Sequence, residues 1–142
     1  MREILFRGKC NEVGKYNGQW IEGFYGEDDG KPIIARSTDH GLIGYFCEPD
    51  SIGQYTGLTD KNGRKIFEGD IIHLEYSQVF FGGECFGEYT AEVSYKEGCF
   101  ITDGINNGDE IETPLSGFDN DELEIIGNIH DNPELLRGES DG

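Results

Sequence analysis

Glycine fills 22 of the 142 positions and proline only four, with no every-third-residue period. Each glycine inside a helix costs roughly 1 kcal/mol relative to alanine, so a chain this dense in glycine resists long helices. Without a collagen period, the same glycines mark turns, bulges and close backbone approaches. Several stand in hairpin pairs between short apolar runs: Asp29-Gly30, Asn62-Gly63 and Glu97-Gly98. A type I′ turn needs positive φ at both central residues, and Asn-Gly is the strongest short signal for it. Asn62-Gly63 is therefore expected to centre a tight hairpin.

Between these turns the apolar residues fall into short runs. Ile4–Arg7, Gln19–Gly26, Pro32–Arg36 and Leu42–Phe46 read as strands of the first third. Pro32 stands at a strand start, where its missing N–H is tolerated. Trp20, the single tryptophan, is expected to anchor a core. Glu48-Pro49-Asp50-Ser51 punctuates the chain and marks a boundary. Beyond it, Ile72, Leu74 and Tyr76 share one face of a strand, and Tyr89, Ala91, Val93 and Tyr95 share one face of another. Val79–Gly87 is glycine-aromatic and reads as a wide hairpin loop. Cys99–Thr102 is the next strand, Asp103–Gly108 a turn-rich loop, and Glu124–His130 the closing strand. Asn132 and Pro133 have the residue types of a helical cap and first position.

The order of elements predicts a mainly β protein: a small antiparallel N-terminal sheet followed by an SH3-like small β-barrel. Such a barrel needs roughly five short strands, which residues 64–130 can supply. The expected boundaries are 1–50 for the N-terminal subdomain, 51–136 for the barrel and 137–142 for a disordered tail. With 35% hydrophobic and 12% aromatic residues, Phe and Tyr are expected to supply much of the core.

Acids outnumber bases 29 to 11, for a formal charge of −18. That charge favours solubility and disfavours binding to nucleic acid or an anionic membrane. No apolar run approaches the ~20 residues of a membrane span, and the N-terminus has no secretory h-region. The four cysteines, Cys10, Cys47, Cys85 and Cys99, lack C-x-x-C spacing. An even count allows disulfides, but free thiols in a cytoplasmic protein are the simpler reading. Cys85 and Cys99 flank aromatic residues, as thiols packed like small hydrophobes do.

Sites with chemistry are hard to build from this sequence. Neither the run from Asp60 nor that from Asp103 has calcium-loop spacing, and Asp119–Glu122 reads as a solvated acidic turn. His40, His73 and His130 each lack a nearby ligand residue for zinc. No Gly-x-Ser-x-Gly elbow or P-loop ending exists. With acids throughout, no single carboxylate pair is informative. No catalytic residue, metal ligand or cofactor is therefore expected.

One stretch remains distinctive. Ile52-Gly53-Gln54-Tyr55-Thr56-Gly57-Leu58, then Asp60-Lys61-Asn62-Gly63, then Ile66-Phe67-Glu68-Gly69-Asp70-Ile71-Ile72 resembles the hallmark of YopX proteins. The ending Ile126-Gly127-Asn128-Ile129-His130-Asp131-Asn132-Pro133-Glu134-Leu135-Leu136 is similar to that family's ending, as are Arg2–Gly8 and Asn17–Gly23 to its N-terminal features. The resemblance thus runs from Arg2 to Leu136; regions 77–88 and 103–118 lie outside any family feature. It implies a cytoplasmic, mostly β protein of bacteriophages and prophages, capable of self-association, with no defined catalytic residues. The residues carrying the motif are Gly53, Tyr55, Thr56, Gly57, Asp60, Asn62, Gly63, Phe67, Gly69, Asp70, Gly127 and Asn128.

The resulting expectation is a non-enzymatic accessory protein acting through protein–protein contacts or self-assembly. Two alternatives stay open: an acidic decoy occupying a host protein's nucleic-acid-binding surface, and a nucleic-acid-binding module using Lys61, Arg64 and Lys65.

Overall fold

The computed structural model describes residues 3–106 and 109–137, and at 78–80, 85, 106 and 137 the backbone alone. The chain divides into two compact units, Met1–Gly57 and Leu58–Gly142. Most of the expected tail, from Gly138 onward, lies outside the described residues.

The first unit contains β1 (Phe6–Lys9), β2 (Trp20–Asp28), β3 (Lys31–Thr38), β4 (Gly41–Phe46) and β5 (Gly53–Thr59), whose last two residues belong to the second unit. The sheet order is β4-β3-β2-β1-β5. The β2–β3 turn takes the expected form, with Asp28 paired to Lys31 and positive φ at Asp29 and Gly30. Cys10, Ile21, Ile34, Tyr45 and Cys47 form the core, flanked by Phe6, Tyr16 and Ile52. Trp20 does not join it. Its half-buried ring instead receives the Arg7 guanidinium at 4.7 Å, a cation–π contact.

The second unit contains β6 (Lys65–Phe67), β7 (Asp70–Phe80), β8 (Gly83–Lys96), β9 (Cys99–Asn106), β10 (Asp109–Pro114) and β11 (Leu123–Asn128). Five of these form one antiparallel sheet in the order β10-β9-β8-β7-β11. Its core is Ile66, Ile72, Leu74, Tyr89, Ala91, Val93, Leu115 and Leu123. The β8 alternation holds as far as Val93; Tyr95 is exposed and meets the Phe100 ring edge-on at 5.1 Å. Isoleucine and leucine contribute more core residues than Phe and Tyr, of which Tyr45, Tyr55, Phe67 and Tyr89 are buried.

The SH3-like barrel is not formed. Both antiparallel sheets are open, and β10 and β11, at the two ends of the five-stranded sheet, do not pair. The reason lies along the outer edge of β11. Leu123 C=O accepts from Lys61 N–H, and Ile125 gives its N–H to the Asp60 carboxylate and its C=O to Arg64. A turn thus occupies the edge that a closing strand would need, which protects it without closure.

Two loop expectations also change. The stretch around 79–87 is strand up to Phe80 and again from Gly83, so the loop shrinks to a tight tip at Phe81-Gly82. Asp103–Asn106 continues β9, which pairs with β10; Asn107 and Gly108 lie outside the described residues. Among the described residues the helical segments are short 3₁₀ turns, including Pro133–Arg137 where a capped turn was expected. None is long and apolar enough to cross a membrane.

Candidate functional site

The motif residues are distributed over both units. Gly53, Tyr55, Thr56 and Gly57 lie in β5; Gly53, Tyr55 and Thr56 are buried, and Tyr55 N–H donates to Leu5 C=O at 2.8 Å. The remaining motif residues gather in the second unit around the start of β7 and the end of β11.

Asp60 is the hub of the turn. Its side chain is fully buried, and its two oxygens are both engaged. Oδ1 accepts from Asn62 N–H at 2.9 Å and Arg64 N–H at 3.0 Å. Oδ2 accepts from Ile125 N–H at 3.0 Å and from Arg64 Nη2 at 3.1 Å. Burial pushes this carboxyl up, but the N–H donors of Ile125, Arg64 and Asn62, with the Arg64 charge, outweigh it and hold Asp60 below its ordinary value. Asn62-Gly63 does not form the expected type I′ turn, because Asn62 keeps negative φ and only Gly63 is positive. A wider five-residue connection, Asp60–Arg64, is organised instead by the Asp60 side chain, which takes over the bonding of the backbone at an Asx turn.

The cations of this turn have local partners. Arg64 Nη2 also donates to Ile125 C=O at 2.7 Å, and Lys61 Nζ lies 3.4 Å from Glu124. Lys65, exposed at the start of β6, is the third member of the basic cluster and also has a partner.

The second half of the motif meets the chain's ending. Asp70 Oδ2, buried, accepts from Phe67 N–H at 2.7 Å. Gly69 donates to Val93 C=O and accepts from Ile129 N–H. Across the β7–β11 ladder Asp70 faces Asn128 and Ile71 faces Gly127, past a bulge at Ile126. Asn128 Oδ1 accepts from His130 and Asp131 N–H at 3.0 and 2.8 Å. Gly127 is closely packed: a Cβ there would lie 2.6 Å from Asn132 Oδ1 and 2.9 Å from Leu135 Cδ1, so both side chains would have to shift. The sequence names Arg64 only as a member of the basic cluster and Asn132 only as a cap, and links neither of them, nor Ile125, to Asp60 and Gly127.

This arrangement ties strands together and aims no reactive group at a cleft. The acidic turn Asp119–Glu122 is a capping box, with Asp119 N–H donating to Glu122 Oε1 at 2.8 Å. Among the described residues no three His, Cys, Asp or Glu side chains gather to hold a metal ion. His73 Nε2 stands 2.9 Å from Glu88 Oε1. Cys99 is an exposed free thiol and not a packed hydrophobe, and the Cys85 side chain lies outside the described residues.

An aromatic cleft of about 340 Å³ also lies in the second unit, lined by Tyr76, Ser77, Tyr89, Ile111, Thr113, Gly117 and Phe118. Tyr76 and Tyr89 meet edge-to-face at 6.1 Å. The cleft adjoins the base of a projecting ribbon. β11 reaches β7 only as far as Leu74, and β9 reaches β8 only from Ala91. Beyond them, among the described residues, the six pairs from Glu75↔Glu88 to Phe80↔Gly83 have no third strand in their backbone ladder. The ribbon spans roughly 20 Å at about 3.4 Å per residue. Phe81 at its tip is fully exposed and Phe86 largely so.

The YopX protein family matches residues 5–137. The chain belongs to the YopX family. It is thus a phage or prophage protein from a family without an assigned biochemical activity. A crystal structure of protein EF1440 from Enterococcus faecalis is similar to it, at 24% identity and a TM-score of 0.53, covering 96% of this chain and 99% of that one. At this identity the likeness speaks to fold alone. No curated protein matches the chain.

Proposed function

We propose that this YopX-family chain is a non-enzymatic cytoplasmic accessory protein that acts through protein–protein contacts, with the β7–β8 ribbon as its contact element. The ribbon's isolation carries the reading. A two-stranded hairpin without further strands is at best marginally stable in water. Here it also exposes Phe81 and Phe86, apolar area that a partner surface would remove from water at about 25 cal/mol per Å². The cleft of Tyr76, Tyr89, Ile111 and Phe118 lies at its base, on the sheet face opposite to that of Phe86, whose cross-strand partner is Ser77.

The basic-cluster alternative draws less support, because Arg64 and Lys61 already serve the turn through Asp60, Ile125 and Glu124. The formal charge of −18 also favours a protein partner over nucleic acid.

The test is the mass of the purified assembly and affinity capture from phage-infected host cells, on wild type and Phe81→Ser/Phe86→Ser. Both changes lie on exposed positions and should leave the fold intact, as circular dichroism would confirm. The expected result is an assembly or captured partner present with wild type and lost with the variant. Identical mass and identical capture in both would overturn the assignment.

A further inference from the structure

Cys10 follows β1 and Cys47 follows β4, strands separated in the sheet order by β2 and β3. The two residues nevertheless form an isolated antiparallel bridge. Two hydrogen bonds define its type: Asn11 N–H donates to Phe46 C=O at 3.0 Å, and Glu48 N–H donates to Lys9 C=O at 2.9 Å. These bonds flank the Cys10/Cys47 pair without passing through it, which makes it a non-hydrogen-bonded pair. In such pairs the Cα atoms stand about 4.5 Å apart and the side chains approach most closely. Disulfides span roughly 4.4–6.8 Å between Cα atoms. The bridge therefore needs no backbone displacement to accept a bond.

The surroundings hold the two thiols against each other. Both side chains are almost wholly buried in the same core cluster. A Cβ on Gly8 would lie 2.9 Å from Cys47 Cβ and 3.0 Å from its Sγ. The Cys47 side chain thus lies over β1 beside Cys10, in space that exists because residue 8 has no side chain. Both cysteines are free in this state. Burial, with Cys10 alongside, pushes the Cys47 thiol up to about 11, which keeps it a poor nucleophile while the unit stays closed.

We propose that Cys10 and Cys47 are a reversible dithiol–disulfide pair whose oxidation staples the end of β1 to the end of β4. The oxidant class is a small-molecule disulfide such as oxidised glutathione. One cysteine thiolate attacks it, forming a mixed disulfide and releasing one glutathione thiolate. The second cysteine thiolate attacks the mixed disulfide at the protein sulfur, forming the Cys10 Sγ–Cys47 Sγ bond and releasing the second glutathione. The two protons leaving the cysteines end on the two glutathiones, and the two electrons reduce the oxidant's S–S bond. Both exchange steps run in reverse with reduced glutathione, so the staple opens again when reduced glutathione dominates.

The experiment incubates the full chain, and separately a Cys85→Ser/Cys99→Ser variant, with oxidised glutathione. Intact mass, non-reducing peptide mapping and thermal melting follow, before and after dithiothreitol. The expected result in both chains is a Cys10–Cys47 linked peptide, loss of two hydrogens in the variant, a raised melting temperature and full reversal by dithiothreitol. Glutathione adducts with Cys10 and Cys47 still alkylatable after denaturation would overturn the proposal. A linked pair that lowers the melting temperature would overturn the stapling role.

Discussion

Replacing Asp60 by alanine tests the reading of the motif as a structural clamp. The substitution removes both acceptor oxygens at once. It leaves the N–H groups of Asn62, Arg64 and Ile125 without their acceptor and strips the Arg64 guanidinium of its carboxylate. An orphaned buried donor costs about 1–3 kcal/mol. Breaking a buried ion pair from one side costs about 3–5 kcal/mol. The two routes overlap in what they count, and water reaching the half-exposed Arg64 softens both, so the expected loss is about 4 kcal/mol. Asp60→Asn should cost less, about 2–3 kcal/mol, because one oxygen survives while the new NH₂ faces donors. The assay is urea unfolding at pH 7 with hydrogen exchange followed over residues 58–66 and 123–129. The single tryptophan lies in the other unit, so its fluorescence reports the control. The pH dependence gives a second reading. Asp60 is held below its ordinary carboxyl value, so its contribution is complete above the unfolded value near 4 and disappears as pH falls through the folded one. Asp60→Asn should remove that part of the acid limb. A loss under 1 kcal/mol for Asp60→Ala, or an unchanged acid limb in Asp60→Asn, would refute the clamp.

Other changes separate packing from charge. Glu92 faces Asp103 across β8–β9, and burial first, then Asp103 and Glu68, raise its carboxyl. Glu92→Gln should therefore stabilise the protein at pH 7 by about 0.5 kcal/mol, a gain that shrinks as pH falls through the raised carboxyl of wild-type Glu92 and is gone below the ordinary carboxyl value; chemical denaturation at neutral and acid pH measures it. Gly87→Ala places a methyl group against the Tyr76 ring and should cost about 1–3 kcal/mol, with faster exchange confined to the ribbon. Gly127→Ala should cost about 1–2 kcal/mol and release residues 129–136, seen as faster exchange there with β8 protection unchanged.

Local signals in the sequence carried most of the strands. Asp29-Gly30 makes the turn its residue types demand, and β8 alternates as far as Val93. The barrel could not be inferred that way. Closure depends on whether the outer edges of β10 and β11 find each other, and the β11 edge is taken by a turn some 60 residues earlier in the chain. Asn62-Gly63 misled for a related reason: the local preference for a two-residue turn yields to the four hydrogen bonds gathered by Asp60. The stretch 79–87 reads as a loop because Gly82, Gly83 and Gly87 interrupt its aromatic residues and leave no apolar alternation. The motif's position was legible in the sequence, but the Asp60 partner Ile125 was not, because it lies 65 residues further along the chain and nothing local links the two.

The isolation of the ribbon has a consequence for how such a chain can vary. Among the described residues, its six outer pairs answer to no third strand. Adding or removing residues two by two at the tip would lengthen or shorten it while the ladders at its base keep their register. Clamp and ribbon therefore carry different tolerances: the Asp60 turn admits little change, whereas the tip can be exchanged without disturbing the scaffold. If the ribbon is the contact element proposed above, recognition would diverge there at almost no cost to folding.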